Sequence, residues 1–127
     1  MPDALSLPAG LVYGRIAAQV PVTDIARALD FYIGLLGLHK VFENGHPVGF
    51  VILERQGAEL HLCLDPKHQA SGQNVAHWMV NDATALHDHL VAHGVPIIKG
   101  LRDADYGLRG FVFTDPDGNR IDVGQDI

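Results

Sequence analysis

Along Arg15–Val22 apolar and polar positions alternate. Ala18, Val20 and Val22 fall on one face and Ala17, Gln19 and Pro21 on the other, which predicts a strand. The period then changes. Asp24 stands where a helix N-cap is wanted, Ile25, Leu29, Tyr32 and Leu36 recur at helical spacing, and Gly37 is a natural stop. Extended runs at 40–44, 48–54 and 58–64 predict hairpin strands, with Gln56-Gly57 as one turn. The same order then returns: a strand at 75–80, a cap at Asp82, a helix over 83–93 with Leu86 and Leu90 inward, and Gly94 as its stop. Strands follow at 96–99, 109–114 and 119–124. Asp115-Pro116-Asp117-Gly118 puts Pro and Gly where a type I turn favours them.

Each half therefore reads β-α-β-β-β, and the halves are related in sequence. At an offset of 61, Gly49, Phe50, Val51 and Gly57 fall on Gly110, Phe111, Val112 and Gly118. Glu54, Leu60 and Leu62 fall on Asp115, Ile121 and Val123. Val22-Thr23-Asp24 matches Val80-Asn81-Asp82 at an offset of 58. Two matches in the same order argue for a duplicated unit of about sixty residues. The expected organisation is one domain over 1–127. It comprises an extension (1–14), a first module (15–64), a loop-like linker (65–74) holding Pro66, Ser71 and Gly72, and a second module (75–127).

A chain of 127 residues with 47% hydrophobic and 19% charged content is that of a globular domain able to bury its own core. Its longest apolar stretch, Phe31–Leu38, is too short to span a membrane. No secretory leader is visible, and the single cysteine, Cys63, excludes an internal disulfide framework, so the cytoplasm is expected. The net charge of −6, with basic residues scattered singly, speaks against nucleic-acid binding and favours a cationic ligand at long range. Eight histidines make the charge depend on pH near neutrality.

Several patterns suggest chemistry and have simpler explanations. Glu59, His61 and Cys63 share a strand face, but spacing of two residues does not bring a cysteine and a histidine into hydrogen-bond contact, so no nucleophile is read there. Of His87, His89 and His93 only the last two share a helix face, opposite Leu86 and Leu90, and a solvated face accounts for them. Asp115–Asn119 lacks the later Glu of a calcium loop and reads as a turn. No Gly-rich dinucleotide fingerprint follows a strand. Trp78 alternates with Ala76 and Val80 toward the helix side and reads as core, whereas parity leaves the side taken by Phe50, Phe111 and Phe113 open.

With this module order, Pro21-Val22-Thr23-Asp24 leading into Ala28–Tyr32 and Leu35–Leu38, and the closing Phe113–Asp122, the chain resembles the vicinal oxygen chelate superfamily over residues 15–124. That superfamily includes glyoxalase I, ring-cleaving dioxygenases, fosfomycin-resistance enzymes and bleomycin-resistance proteins. Gly57–Leu62 and Tyr106–Phe111 are most similar to the bleomycin-resistance-like branch. The resemblance implies an α+β fold of two tandem βαβββ modules whose curled mixed sheets enclose a cavity, and a homodimer. Its metal-dependent members carry ligands on the first and last strand of each module. Counting back seven residues from Asp24 and Asp82 puts these on Ala17 and Val75, with His61 and Asp122 on the last strands.

Ala17 and Val75 cannot bind a metal, and a catalytic site usually needs about three protein ligands. His77 lies about 6.5–7 Å along the strand from Val75, too far to substitute unless the site moves. The expectation is therefore a protein without metal or cofactor that binds a small molecule through Gln19, His61, His77, Tyr106, Arg109 and Asp122. By resemblance it would sequester a cationic aromatic antibiotic of the bleomycin type. The alternative is a metal-dependent lyase, isomerase or dioxygenase using His61, Asp122, His77 and a water.

Overall fold

A computed structural model describes residues 5–127; of the expected N-terminal extension, residues 1–4 lie outside the described residues. Both predicted caps form. The Asp24 carboxylate accepts from the Arg27 amide, and the Asp82 carboxylate accepts from the Ala85 amide, satisfying N–H groups left free in a first helical turn. Strand β1 (Ala18–Val22) leads into helix α1 (Ile25–Leu29), followed by β2 (His39–Asn44), β3 (Phe50–Arg55) and β4 (Ala58–Leu64). The second module repeats this order with β5 (Asn74–Met79), α2 (Ala83–Ala92), β6 (Ile97–Asp103), β7 (Leu108–Thr114) and β8 (Arg120–Asp126). Each module forms a four-stranded mixed sheet, in the orders β1-β4-β3-β2 and β5-β8-β7-β6, with the first strand parallel to the last. This is the expected α+β pair of βαβββ units.

Three local features differ from the sequence expectations. The first strand begins at Ala18, not Arg15, and the sixth runs on to Asp103, well past residue 99. The first helix widens after Leu29 into a π-helical segment, Asp30–Leu35, where the Leu36 amide reaches back to the Phe31 carbonyl. The wider turn lets adjacent Phe31 and Tyr32 both bury, their rings meeting edge to face at 5.1 Å. Gly37 and Gly94 end the helices at positive φ (+75° and +76°), as their type allows.

The helix-side faces of both sheets meet in one core. Val20, Val22, Val51, Leu53, Leu60 and Leu62 of the first sheet join Phe111, Phe113, Ile121 and Val123 of the second, with Phe31 and Tyr32 between them. Phe111 and Phe113 thus take the core side that parity left open, and Trp78 packs half-buried against the same core. A polar clasp joins the modules. The buried Asp115 carboxylate accepts from Tyr32 Oη (2.8 Å), from the Asp117 and Asn119 amides and from Asn119 Nδ2, while that Nδ2 also donates to the Pro21 carbonyl. Asp117 accepts from the amide and hydroxyl of Thr23 and from Arg27. The acidic segment is a turn whose carboxylates are already engaged. Among the described residues no helix is long and apolar enough to cross a membrane.

Candidate functional site

Because the helix-side faces share one core, the opposite face of each sheet turns outward. On the second sheet that face curls into a cleft of about 180 Å³. Its floor is built in rows across the strands. One row runs His77, Asp122, Val112, Lys99, and the next runs Met79, Gly124, Gly110, Arg102, each residue being the register partner of its neighbour. Tyr106, 73% exposed, stands at the lip. His77 Nδ1 donates to Asp122 Oδ2 (2.7 Å), and its Nε2 lies 3.1 Å from Met79 Sδ.

The glycines shape the floor. A Cβ on Gly124 would stand 3.1–3.2 Å from the His77 ring and Met79 Sδ, and one on Gly110 would meet the Val123 carbonyl oxygen at 2.3 Å. The middle of the second row therefore has no side chains of its own, and the His77 ring and Met79 Sδ close over Gly124. The bulged pairing of β6 matters equally: Lys99 lies opposite Val112 and Arg102 opposite Gly110, three residues of one strand spanning two of the other. Strict alternation would send Lys99 and Arg102 to opposite faces; the bulge puts both at the cleft.

The outward face of the first sheet is built differently. Gln19 pairs with His61, and His61 with Ile52 and then Phe42. Phe50 packs edge to face on His61 (5.4 Å) and on Phe42 (6.2 Å), giving an aromatic track. His61 Nε2 donates to Glu59 (2.7 Å), and Glu59 also accepts from Arg15. These two donors, His61 foremost, hold the Glu59 carboxyl below its usual range. Burial pushes the neighbouring Cys63 thiol above its ordinary value, away from nucleophile chemistry.

Of the six residues expected to bind a ligand, His77, Tyr106 and Asp122 come together at the cleft, and Gln19 and His61 sit side by side on the other sheet. Arg109 is not at the cleft; Asp103 holds it in a two-pronged ion pair (2.7 and 3.1 Å). The counting of metal positions needs correction. Ala17 precedes the first strand and Val75 falls in a bulge, so the residues level with His61 and Asp122 are Gln19 and His77, five before each cap. His77 is not displaced along the strand from Asp122 but bonded to it. Even so, among the described residues no three His, Cys, Asp or Glu side chains converge as a metal would require. The donors of one chain do not fit a catalytic metal. Lys99, Arg102, Gly110 and Gly124 escaped the sequence reading, since only the long-range register brings them to one face.

The helix histidines are also engaged. His87 packs on Phe111 (5.3 Å), His89 donates to the Leu35 carbonyl and His93 to the His89 carbonyl.

No curated relative matches the sequence. Among solved structures, a superfamily member from Sphaerobacter thermophilus DSM 20745 is 27% identical, with a TM-score of 0.76 over 91% of this chain and 98% of that one. TnmS3, an antibiotic binding protein from Streptomyces sp. CB03234, is 24% identical with a TM-score of 0.75 over 92% and 99%. A bleomycin resistance determinant encoded on the transposon Tn5 is 19% identical with a TM-score of 0.76 over 90% and 98%. At those identities the last two speak for the fold alone. Residues 14–123, nearly the whole sequence, match the family directly, and the chain belongs to the Glyoxalase/Bleomycin resistance protein/Dioxygenase superfamily.

Proposed function

We propose that this protein binds and sequesters a small aromatic molecule, an antibiotic being the class favoured by the names of its structural neighbours, and does so without a metal. The observation that carries this reading is the division of the outward surface into two half-sites. A glycine-floored cleft with fixed polar groups lies on one sheet, and an aromatic track lies on the other. Ligand sites are typically apolar surfaces with a few oriented polar groups. His77, locked to Asp122, and His61, locked to Glu59, suit orientation better than coordination.

The cleft's 180 Å³ falls short of the roughly 300 Å³ at which ligand pockets begin. A second copy, related by a two-fold axis, would lay the aromatic track of one chain over the cleft of the other and complete two equal cavities. Residues 5–16 supply further apolar surface for such a partner, with Leu5, Val12 and Ile16 each more than four-fifths exposed. Sedimentation of the purified protein should give about twice 13.8 kDa. The cytoplasm suits the unpaired Cys63.

The test is protection of drug-sensitive cells, followed by recovery of the drug. Sequestration predicts protection that saturates near one drug per cavity, with the drug recovered unchanged in both mass and chromatographic retention. A recovered drug of altered mass (lyase or dioxygenase), or of unchanged mass but shifted chromatographic retention (isomerase), would overturn the binder and favour a metal-dependent enzyme, whose donors would have to come from both chains. His61→Ala then separates the readings again, weakening affinity in a binder and abolishing turnover in an enzyme.

A further inference from the structure

Resting on the binding reading above, we infer that the cleft selects a planar aromatic ligand carrying an acidic oxygen group, a carboxylate or an ionised phenol, held by Lys99 and Arg102. Both cations lie on the outer strand of the cleft, at the ends of the two floor rows. Among the described residues neither has a carboxylate at ion-pair distance, as is also true of Arg55, Lys67 and Arg120, which do not line the cleft, whereas Arg15, Arg27, Lys40 and Arg109 each have one. The carboxylate that shares the floor, Asp122, already accepts from His77. It lies two strands from Lys99, a separation of about 10 Å at the ordinary strand spacing. Asp103, next to Arg102 in sequence, is taken up by Arg109. The cleft thus offers two unengaged cations and no unengaged carboxylate among its lining residues.

The floor between these groups fixes the ligand's shape. Gly124 and Gly110 are register partners in the middle of the Arg102 row and raise no side chains of their own; the His77 ring closes over Gly124 and Tyr106 stands at the lip, so a flat ring system is met by a low floor edged by rings. A guanidinium beside that floor meets a carboxylate in the plane of the ring with its two parallel N–H groups. The net charge of −6, which favours cations, acts from the whole surface and is screened over about 8 Å at physiological salt. At the cleft the near charges prevail, and the ligand expected from them is an anion, not the cation suggested by composition.

The experiment titrates the purified protein with three probes of one shape: a naphthoate, its neutral naphthamide and the cationic naphthylmethylammonium, followed by calorimetry at low and high salt. The naphthoate should bind about tenfold more tightly than the amide, and the preference should shrink with salt. Lys99→Ala with Arg102→Ala should erase the preference while leaving amide binding in place, and Lys99→Arg should retain it. Both side chains are exposed, so the variants should melt as the parent does. Equal binding of all three probes, or preference for the cation, overturns the inference but leaves the binder intact. Failure of all three to bind would remove the small-molecule reading and this inference with it.

Discussion

Tyr32→Phe removes one hydroxyl from the clasp between the modules. Tyr32 is fully buried, and its Oη donates to the Asp115 carboxylate across 2.8 Å. A hydrogen bond to a buried charged group contributes about 1.5–3 kcal/mol. Asp115 keeps three other donors, the amides of Asp117 and Asn119 and Asn119 Nδ2, so the loss should fall at the low end, about 1.5 kcal/mol. Asp115→Ala instead strands the tyrosine hydroxyl and two amides together, at about 4 kcal/mol. For a domain of this size, about 4 °C per kcal/mol converts these to losses of about 6 °C and 16 °C in Tm.

The same bond has an alkaline signature. Burial, then the charge of Asp115 and the hydrogen bond to it, raises the Tyr32 pKa well above 10.0. Above pH 10 the unfolded chain therefore releases a proton that the folded chain keeps, and stability falls as pH rises. Tyr32→Phe should lack that part of the alkaline loss. Calorimetric melts from neutral pH to pH about 11 supply both readouts. Equal Tm for the parent and Tyr32→Phe, or identical alkaline slopes, would refute the clasp as a source of stability.

Gly110→Ala drives a Cβ to 2.3 Å from a strand carbonyl, which no rotamer relieves, and should cost about 3 kcal/mol in urea unfolding. Gly124→Ala meets only movable side chains, at 3.1–3.2 Å. It should cost about 1 kcal/mol in the same assay yet displace the His77 ring, seen as loss of its Nδ1–H resonance, and weaken ligand binding about tenfold. Glu59, held below its unfolded value of 4.5 chiefly by His61, adds stability present above that pH and lost as pH falls through the folded pKa; Glu59→Gln should flatten the acid limb of a pH-stability curve.

What the sequence disclosed was local. Caps at Asp24 and Asp82, stops at Gly37 and Gly94 and the turn at Asp115–Gly118 all depend on a few adjacent residues, and all were legible. The repeat made the two sheets legible as well, because it exposed one pattern twice. The site was legible in part. His77 and Asp122 stand out in the sequence as candidate site residues, but their contact depends on a bulge at Val75 that shifts the parallel register. Lys99 and Arg102 were invisible for the same reason, since bulges in β6 override alternation. The π-helical turn depends on two adjacent aromatic rings finding one core, a tertiary demand that helical spacing does not encode.

The clasp also records how far the two copies have diverged. The position matching Tyr32 in the second module is Leu90, which is buried and apolar, and the position matching Asp115 in the first module is Glu54, which is exposed. Neither module could clasp a duplicate of itself: the first would lack the acceptor turn, and the second would lack the hydroxyl. A chain cut at the exposed Ser71-Gly72 step should reassemble only as unlike halves, so their pairing is now a matter of identity as well as of shape.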